Sequence, residues 1–283
     1  MMRVRLGVLA VSLGLLLISG CTRQPLTLSL AVQDTYARET ACACIHYLAS
    51  REYSDLVNIL RKEHDIHLKL HYVLEEPALE AAIRKGRFDG AICKPWFALQ
   101  YENLNGLRMS RVADLVDPFD NTLLSGIFIV PKESPIQKPG DITGKRLVMG
   151  KKNSYEKYHL AMRLLEEQGV KPAWIGYKEG CTDGINALLD HEADVAVISD
   201  YALVATCAVD FAGEEAFRTI LKTEDIPLCS VIVDRKKVSR SDARRLKKAL
   251  LEITAKGMPA SFASRGFTEP LPWNPEPFVE QEK

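Results

Sequence analysis

The sequence predicts an α/β protein built as two lobes, each a mixed, mostly parallel sheet flanked by helices. Three observations carry this expectation. Short apolar runs of strand length alternate with stretches of helical periodicity from Leu26 to about Leu104, and again from Ile127 to Asp225. A further strand-like run, "PLCSVIVDRKK", follows the second set and leads back toward the first. Once an N-terminal leader is set aside, about 260 residues remain, enough for two lobes or one large domain.

The elements follow in order. "LTLSLAV", from Leu26 to Val32, alternates and is rich in leucine, which predicts a strand ending near Gln33. A loop with Asp34, Tyr36, Cys42 and Cys44 comes next, then a helix with Leu48, Leu56, Ile59 and Leu60 on one face. "HLKLHYVL" is a second strand. "PALEAAIRKG" is a short helix, with Pro77 near its first position and Gly86 past its end. "FDGAICK" is a third strand, and "PWFALQYENL" starts a helix on proline. In parallel sheets of this kind ligands bind beyond the carboxyl ends of the strands. That places the Cys42–Cys44 loop and Cys93 on the ligand-facing rim.

The second set opens with the apolar strand of "LLSGIFIVPKESPI". "GKRLVMGKKNSYEKYHLAMRLLEEQG" then reads as strand, polar loop, helix and glycine stop, with Asn153 or Ser154 as helix cap. "WIGYKEG" is extended, "TDGINALLDHE" a capped helix and "ADVAVISD" a buried strand. After the return strand, "SRSDARRLKKALLEITAKG" is an amphipathic helix capped by Ser239 or Ser241. Its basic face is a solvated surface or a contact for lipid headgroups or a permease. The expected division is a leader over 1–20, the first part of lobe 1 over 21–126, lobe 2 over 127–225, a return to lobe 1 over 226–266, and an extended or disordered tail over 267–283. Pro270, Pro272, Pro275 and Pro277 argue for that tail.

The leader has Arg3 and Arg5, an apolar run from Leu6 to Ile18, and small residues before Cys21, the marks of an export signal. The run falls short of the roughly 20 residues of a membrane span. "LLLISGC" resembles a bacterial lipobox, which implies lipid attachment at Cys21 and anchoring of the mature protein without a spanning helix. The expected location is therefore the periplasmic or extracellular face of a membrane, where disulfides persist. Lysine plus arginine and aspartate plus glutamate both number 37, so no basic excess points to nucleic acid. No nucleophile–base motif supports an enzyme, and no cofactor is expected.

The order of elements, together with "SGIFIVPKESPIQKPGDITGKRLVMGKKNSYEKYHLAMRLLEEQGV" and "GINALLDHEADVAVISDYAL", resembles the solute-binding lipoproteins of ABC importers. The resemblance is to their phosphate, phosphite and phosphonate branch, over roughly residues 27 to 255. It implies a type II periplasmic-binding-protein-like fold, with a ligand cleft between the lobes, a monomer, and an ABC permease as partner. It also implies a small oxyanion held at a helix start, where unpaired N–H groups and the dipole favour negative charge. The ligand-binding candidates are Asp34, Tyr36, Lys94, Trp96, Ser125, Asn153, Ser154, Tyr155, Cys181, Asp200 and Tyr201. Three features depart from the family. Tyr155 and Glu156 stand where hydroxyl and small residues open the helix, with Lys151 and Lys152 able to offset the glutamate. Cys181 replaces a cleft histidine, and "CKPW" replaces a Gly-Pro loop.

The cysteines leave two main readings open, besides a cysteine that simply contacts an organic ligand. Six remain besides Cys21, and sequence alone cannot choose among 15 pairings. One reading is structural disulfides, Cys207 with Cys229 and Cys93 with Cys42 or Cys44. The other is a soft metal or redox site of Cys42, Cys44, Cys93 and Cys181, with His46 contributing. The Cys-Ala-Cys-Ile-His spacing does not fit haem attachment. His64, His67 and His71 straddle a helix end and a strand and share no helix face.

Overall fold

The structure is a computed structural model that describes residues 24–41, 50–96, 109–205 and 207–273. The leader, Cys21, Cys42, Cys44, His46 and the helix expected after Trp96 lie outside the described residues.

Lobe 1 begins with β1 (Leu26–Gln33), α1 (Ser54–His64), β2 (Ile66–Tyr72), α2 (Glu76–Arg84), β3 (Gly90–Cys93) and β4 (Met109–Leu115). The short β5 (Leu123–Leu124) leads into lobe 2. That lobe holds β6 (Gly126–Pro131), β7 (Arg146–Gly150), a π-helical turn over Tyr155–His159 and α3 (Leu160–Glu167). It continues with β8 (Trp174–Lys178), α4 (Cys181–Leu189), β9 (Val195–Ser199), α5 (Ala202–Ala205), α6 (Cys207–Ala212) and β10 (Phe217–Lys222). The chain returns through β11 (Ile226–Pro227), β12 (Ser230–Asp234), α7 (Arg240–Lys256) and β13 (Phe267–Thr268).

Two sheets result. Lobe 1 orders its strands β13-β4-β12-β3-β1-β2, and lobe 2 orders them β10-β6-β9-β7-β8. β1 runs parallel to β2 and β3, while β12 is antiparallel to both neighbours. In lobe 2, β7 is parallel to β8 and β9, and β6 and β10 add an antiparallel edge. β5 pairs with β11 in a separate two-stranded ribbon where the chain crosses between lobes. The central strands read as unbroken apolar runs because helices cover both faces: every residue of β9 and of β12 is buried.

Local chemistry sets the helix ends. Ser239 caps α7, its side chain accepting from the Asp242 N–H at 3.1 Å. Ser154 caps the π turn, accepting from Lys157 N–H at 3.4 Å. Two glycines let that turn lie close to the sheet. A Cβ at Gly126 would sit 2.2 Å from the Glu156 carbonyl oxygen, and one at Gly150 would sit 2.6 Å from the Lys157 Cβ.

Of the tail expected to be extended or disordered over 267–283, residues 267–273 are described. Phe267 is buried, and β13 pairs with β4. Arg111 donates to the Leu271 carbonyl at 2.7 Å and Leu271 N–H donates to Asp114 at 3.3 Å, so residues 267–273 are fastened to lobe 1. Among the described residues, no helix is long and apolar enough to cross a membrane.

Candidate functional site

The carboxyl ends of β2, β3, β7 and β8 face one another across the lobes. A cavity of about 210 Å³ lies among them. Lobe 1 lines it with Leu74, Glu75, Glu76 and Pro77 at the start of α2, and with Lys94 and Trp96 just after β3. Lobe 2 contributes Lys151, Asn153, Ser154, Glu156 and Lys157 from the loop and turn after β7, and Glu179 after β8.

Glu156 is the electrostatic centre of this cavity. It sits in the first turn of the helical segment that Ser154 caps and is fully buried. Lys94 of lobe 1 donates to Glu156 Oε1 at 2.9 Å, and the Ser199 hydroxyl donates to the same oxygen at 2.9 Å. Burial alone would raise the Glu156 carboxyl. Lys94 and Lys157 outweigh it and hold the group at about 2, so it is ionised at neutral pH. Burial likewise opposes the Lys94 ammonium, and Glu156 raises it above its ordinary value. Glu76 is shifted up, first by burial and also by the negative charge of Glu156.

Other contacts join the lobes here. Asn153 Nδ2 donates to Glu76 Oε2 at 2.9 Å. Trp96 stacks on Tyr155 with ring centres 5.8 Å apart and planes 21° from parallel. Trp273 meets the other side of Tyr155 edge-on at 5.9 Å, so the fastened tail also reaches lobe 2. Lys151 pairs with Glu179 within lobe 2.

Among the sequence candidates, Lys94, Trp96, Asn153 and Ser154 line the cavity, and Tyr155 backs it. Six others do not line it. Asp34 ends β1 as expected, but its carboxylate accepts from Arg51 at 2.6 Å and from the Tyr53 hydroxyl at 2.8 Å, and all three are buried inside lobe 1. Tyr36 is buried, with its hydroxyl 3.5 Å from Asp117 and its ring edge-on to Tyr201 at 6.2 Å. Asp200 accepts from the Ser125 hydroxyl at 2.8 Å and from Ser125 N–H at 3.2 Å, which ties the end of β9 to the inter-lobe crossing. Cys181 is buried, and its Sγ accepts from Ser199 N–H at 3.4 Å.

The disulfide expectations require correction, and the metal site expected at Cys42, Cys44, Cys93 and Cys181 lies partly outside the described residues. Cys93, Cys181 and Cys229 are all buried free thiols. The Cys207–Cys229 bridge and a bridge from Cys93 to Cys42 or Cys44 are therefore not formed. Cys93 points into an apolar cluster with Leu79, Ile83 and Met109 rather than toward the cavity. Burial raises the Cys93 and Cys229 thiols above the ordinary value. Among the described residues no cluster of His, Cys, Asp or Glu could hold a metal.

The residues absent from the candidate set are Leu74, Glu75, Glu76, Pro77, Lys151, Glu156, Lys157 and Glu179. The strand ends carried a usable signal: Glu75, Glu76 and Glu179 all follow parallel strands within three or four residues, as Lys94 does.

Comparison with known proteins agrees with the geometry. The family model for "ABC transporter, phosphonate, periplasmic substrate-binding protein" matches residues 48–274. No curated protein matches the chain. Among solved structures, XAC2383 from Xanthomonas citri bound to ATP is 17% identical, with a TM-score of 0.66, over 87% of this chain and 92% of that one. PhnD1 from Prochlorococcus marinus in complex with methylphosphonate is 14% identical, with a TM-score of 0.61, over 87% and 93%. A binding-protein component of an ABC phosphonate transporter from Pseudomonas aeruginosa is 14% identical, with a TM-score of 0.56, over 87% and 81%. At these identities the structures speak for the two-lobed fold. The family match spans most of the chain, and the chain belongs to the periplasmic substrate-binding proteins of phosphonate-type ABC transporters, whose place is outside the cytoplasm.

Proposed function

We propose that this protein is a lipid-anchored receptor, attached through Cys21, that captures a small oxyanion between its lobes and presents it to an ABC permease as a monomer. The observation that carries the ligand class is the convergence of Lys94, Lys151 and Lys157, from both lobes, on one cavity that also holds the Asn153 and Ser154 side chains at a helix start. Phosphonate and sulfonate are among the ligand types named for proteins of this fold, PhnD1 with methylphosphonate and the sulfonate-binding SsuA of Escherichia coli, beside ATP for XAC2383. Capture works by lobe closure, and the contacts already spanning the cavity, Lys94 with Glu156 and Asn153 with Glu76, are those a ligand would join or rearrange.

A thermal-shift panel of phosphate, phosphite, methylphosphonate and methanesulfonate tests the ligand class. A ligand at 100 times its Kd stabilises by about 2.7 kcal/mol, well within detection. Absence of a shift with every anion at millimolar concentration sinks the oxyanion reading. Mass spectrometry of the membrane fraction tests the anchor: the mature N-terminus should be a diacyl- or triacyl-modified Cys21.

A further inference from the structure

We propose that Glu156 sets the charge of the ligand, making the cavity selective for a singly charged oxyanion over a doubly charged one. This rests on the receptor reading above and narrows it.

The Glu156 carboxylate occupies the position where a bound anion would best be stabilised. It lies in the first turn of a helical segment, on the Lys94 ammonium, and under the Ser199 hydroxyl, each partner 2.9 Å away. Those three stabilising features are already satisfied by the protein's own carboxylate. The charge around the cavity reflects it. Lys94, Lys151 and Lys157 face Glu75, Glu76, Glu156 and Glu179, and Lys151 is itself paired with Glu179. A ligand therefore enters a cavity whose cations are matched or exceeded by fixed carboxylates.

Coulomb repulsion scales with the product of charges and grows in a site shielded from water. Each additional negative charge on the ligand adds one more repulsion with the buried Glu156. A single charge meets the Lys151 ammonium, which it shares with Glu179, together with the Asn153 and Ser154 side chains that line the cavity. A second finds no uncommitted counterpart at Lys94. The group stays charged throughout the physiological range, because Lys94 and Lys157 hold it well below the usual carboxylate range. The geometry also keeps it in place. Gly126 and Gly150 allow its turn to press on the sheet, and Lys94 and the Ser199 hydroxyl both hold its Oε1 at 2.9 Å.

The test is titration calorimetry on the purified protein at pH 8 with two probes. Methanesulfonate carries one negative charge, and inorganic phosphate is mostly doubly charged at that pH. The wild-type protein should bind methanesulfonate at least tenfold more tightly than phosphate. Glu156→Gln keeps the shape and one acceptor oxygen for Lys94 and Ser199 but removes the charge. It should gain at least tenfold for phosphate while methanesulfonate changes less than threefold. Lys94→Met combined with Glu156→Gln should lose that gain, which a general effect on folding would not reproduce. Equal gains for both probes, or no gain for phosphate in a folded Glu156→Gln protein, overturn the proposal and leave the receptor reading standing. Should that variant not fold, the wild-type ratio decides: phosphate bound as tightly as methanesulfonate overturns it. Binding of neither probe to any variant removes the oxyanion reading and this inference together.

Discussion

Lys94 Nζ and Glu156 Oε1 meet at 2.9 Å, one side chain from each lobe, and Glu156 is fully buried while Lys94 keeps only 14% of its side chain exposed. The pair is both a joint between lobes and part of the cavity wall. Removing one partner of a buried pair leaves an uncompensated charge, whereas replacing both by groups of similar shape is often neutral. Lys94→Ala should therefore destabilise by about 3 kcal/mol, the lower end for such a loss because of the residual exposure. Lys94→Met with Glu156→Gln should recover most of it. Urea titration of the three proteins checks this, and equal destabilisation of single and double variants would refute the coupling.

Asp34 stands apart from the cavity, and its loss should read differently. Its carboxylate satisfies Arg51, which also donates to the Val116 carbonyl at 2.7 Å and stacks 4.9 Å from the Phe262 ring centre. Asp34→Ala strands a buried guanidinium and should cost about 3–5 kcal/mol. Ligand affinity of the remaining folded protein should change less than twofold. A large affinity change with little loss of stability would return Asp34 to the binding site.

The buried thiols give a third test. Cys93, Cys181 and Cys229 are free, and each keeps only a few per cent of its surface exposed. Iodoacetamide should leave all three unmodified in the native protein and modify all three after unfolding without reductant. Peptide mass mapping reads both states. A disulfide-linked peptide containing Cys93 or Cys229 would contradict the structure.

These outcomes bear on what the sequence could reveal. Strands buried on both faces, such as β9 and β12, announce themselves as apolar runs. β4 does not, because Arg111 and Asp114 interrupt its pattern, and only the fold shows that they satisfy each other and Ser230. β10 is a half-exposed edge and carries a weak pattern for the same reason. The prolines of the tail speak only for local geometry, while the contact that fastens Leu271 comes from Arg111, 160 residues away. In the site, Lys94, Trp96, Asn153 and Ser154 were legible because they follow strands or cap a helix. Asp34 and Asp200 meet the same criterion but do not line the cavity. Their carboxylates are taken up by Arg51 and Ser125, partners that local sequence does not reveal. The position of Glu156 was visible as a departure at the helix start, but its pairing with Lys94 required the two lobes to be brought together.

The three tryptophans offer an optical readout, since Trp96 and Trp273 share Tyr155 at the cavity and Trp174 stands apart. Trp96 is buried on the cavity wall, Trp273 lies behind it on Tyr155, and Trp174 is half-exposed on the edge strand β8. Binding in the cavity should change the fluorescence of Trp96. Trp96→Phe should abolish most of the ligand-dependent signal, and Trp174→Phe should leave it intact. The reverse pattern would place the ligand elsewhere.

Acid should lower the protein's stability over two separable pH ranges, set by His159 and Glu156. Burial lowers His159 to about 4, so its neutral form is favoured in the folded state. The unfolded chain takes up that proton near the ordinary 6.5, and stability therefore falls as pH drops from about 6.5 toward 4, then levels for this group. Glu156 is a depressed carboxyl, and its sign runs the same way for a different reason. Its stabilisation is fully present above the ordinary value near 4.5 and is lost as pH falls through about 2. That second step amounts to roughly 3 kcal/mol, from 1.36 kcal/mol per unit of displacement. Urea unfolding measured from pH 7.5 to 2.5 should thus show a decline with two limbs. His159→Gln should flatten the limb above pH 4 and spare the lower one. Lys94→Met with Glu156→Gln should do the opposite. A single limb unaffected by either change would mean that neither group carries the acid sensitivity, and that exposed carboxylates dominate it instead.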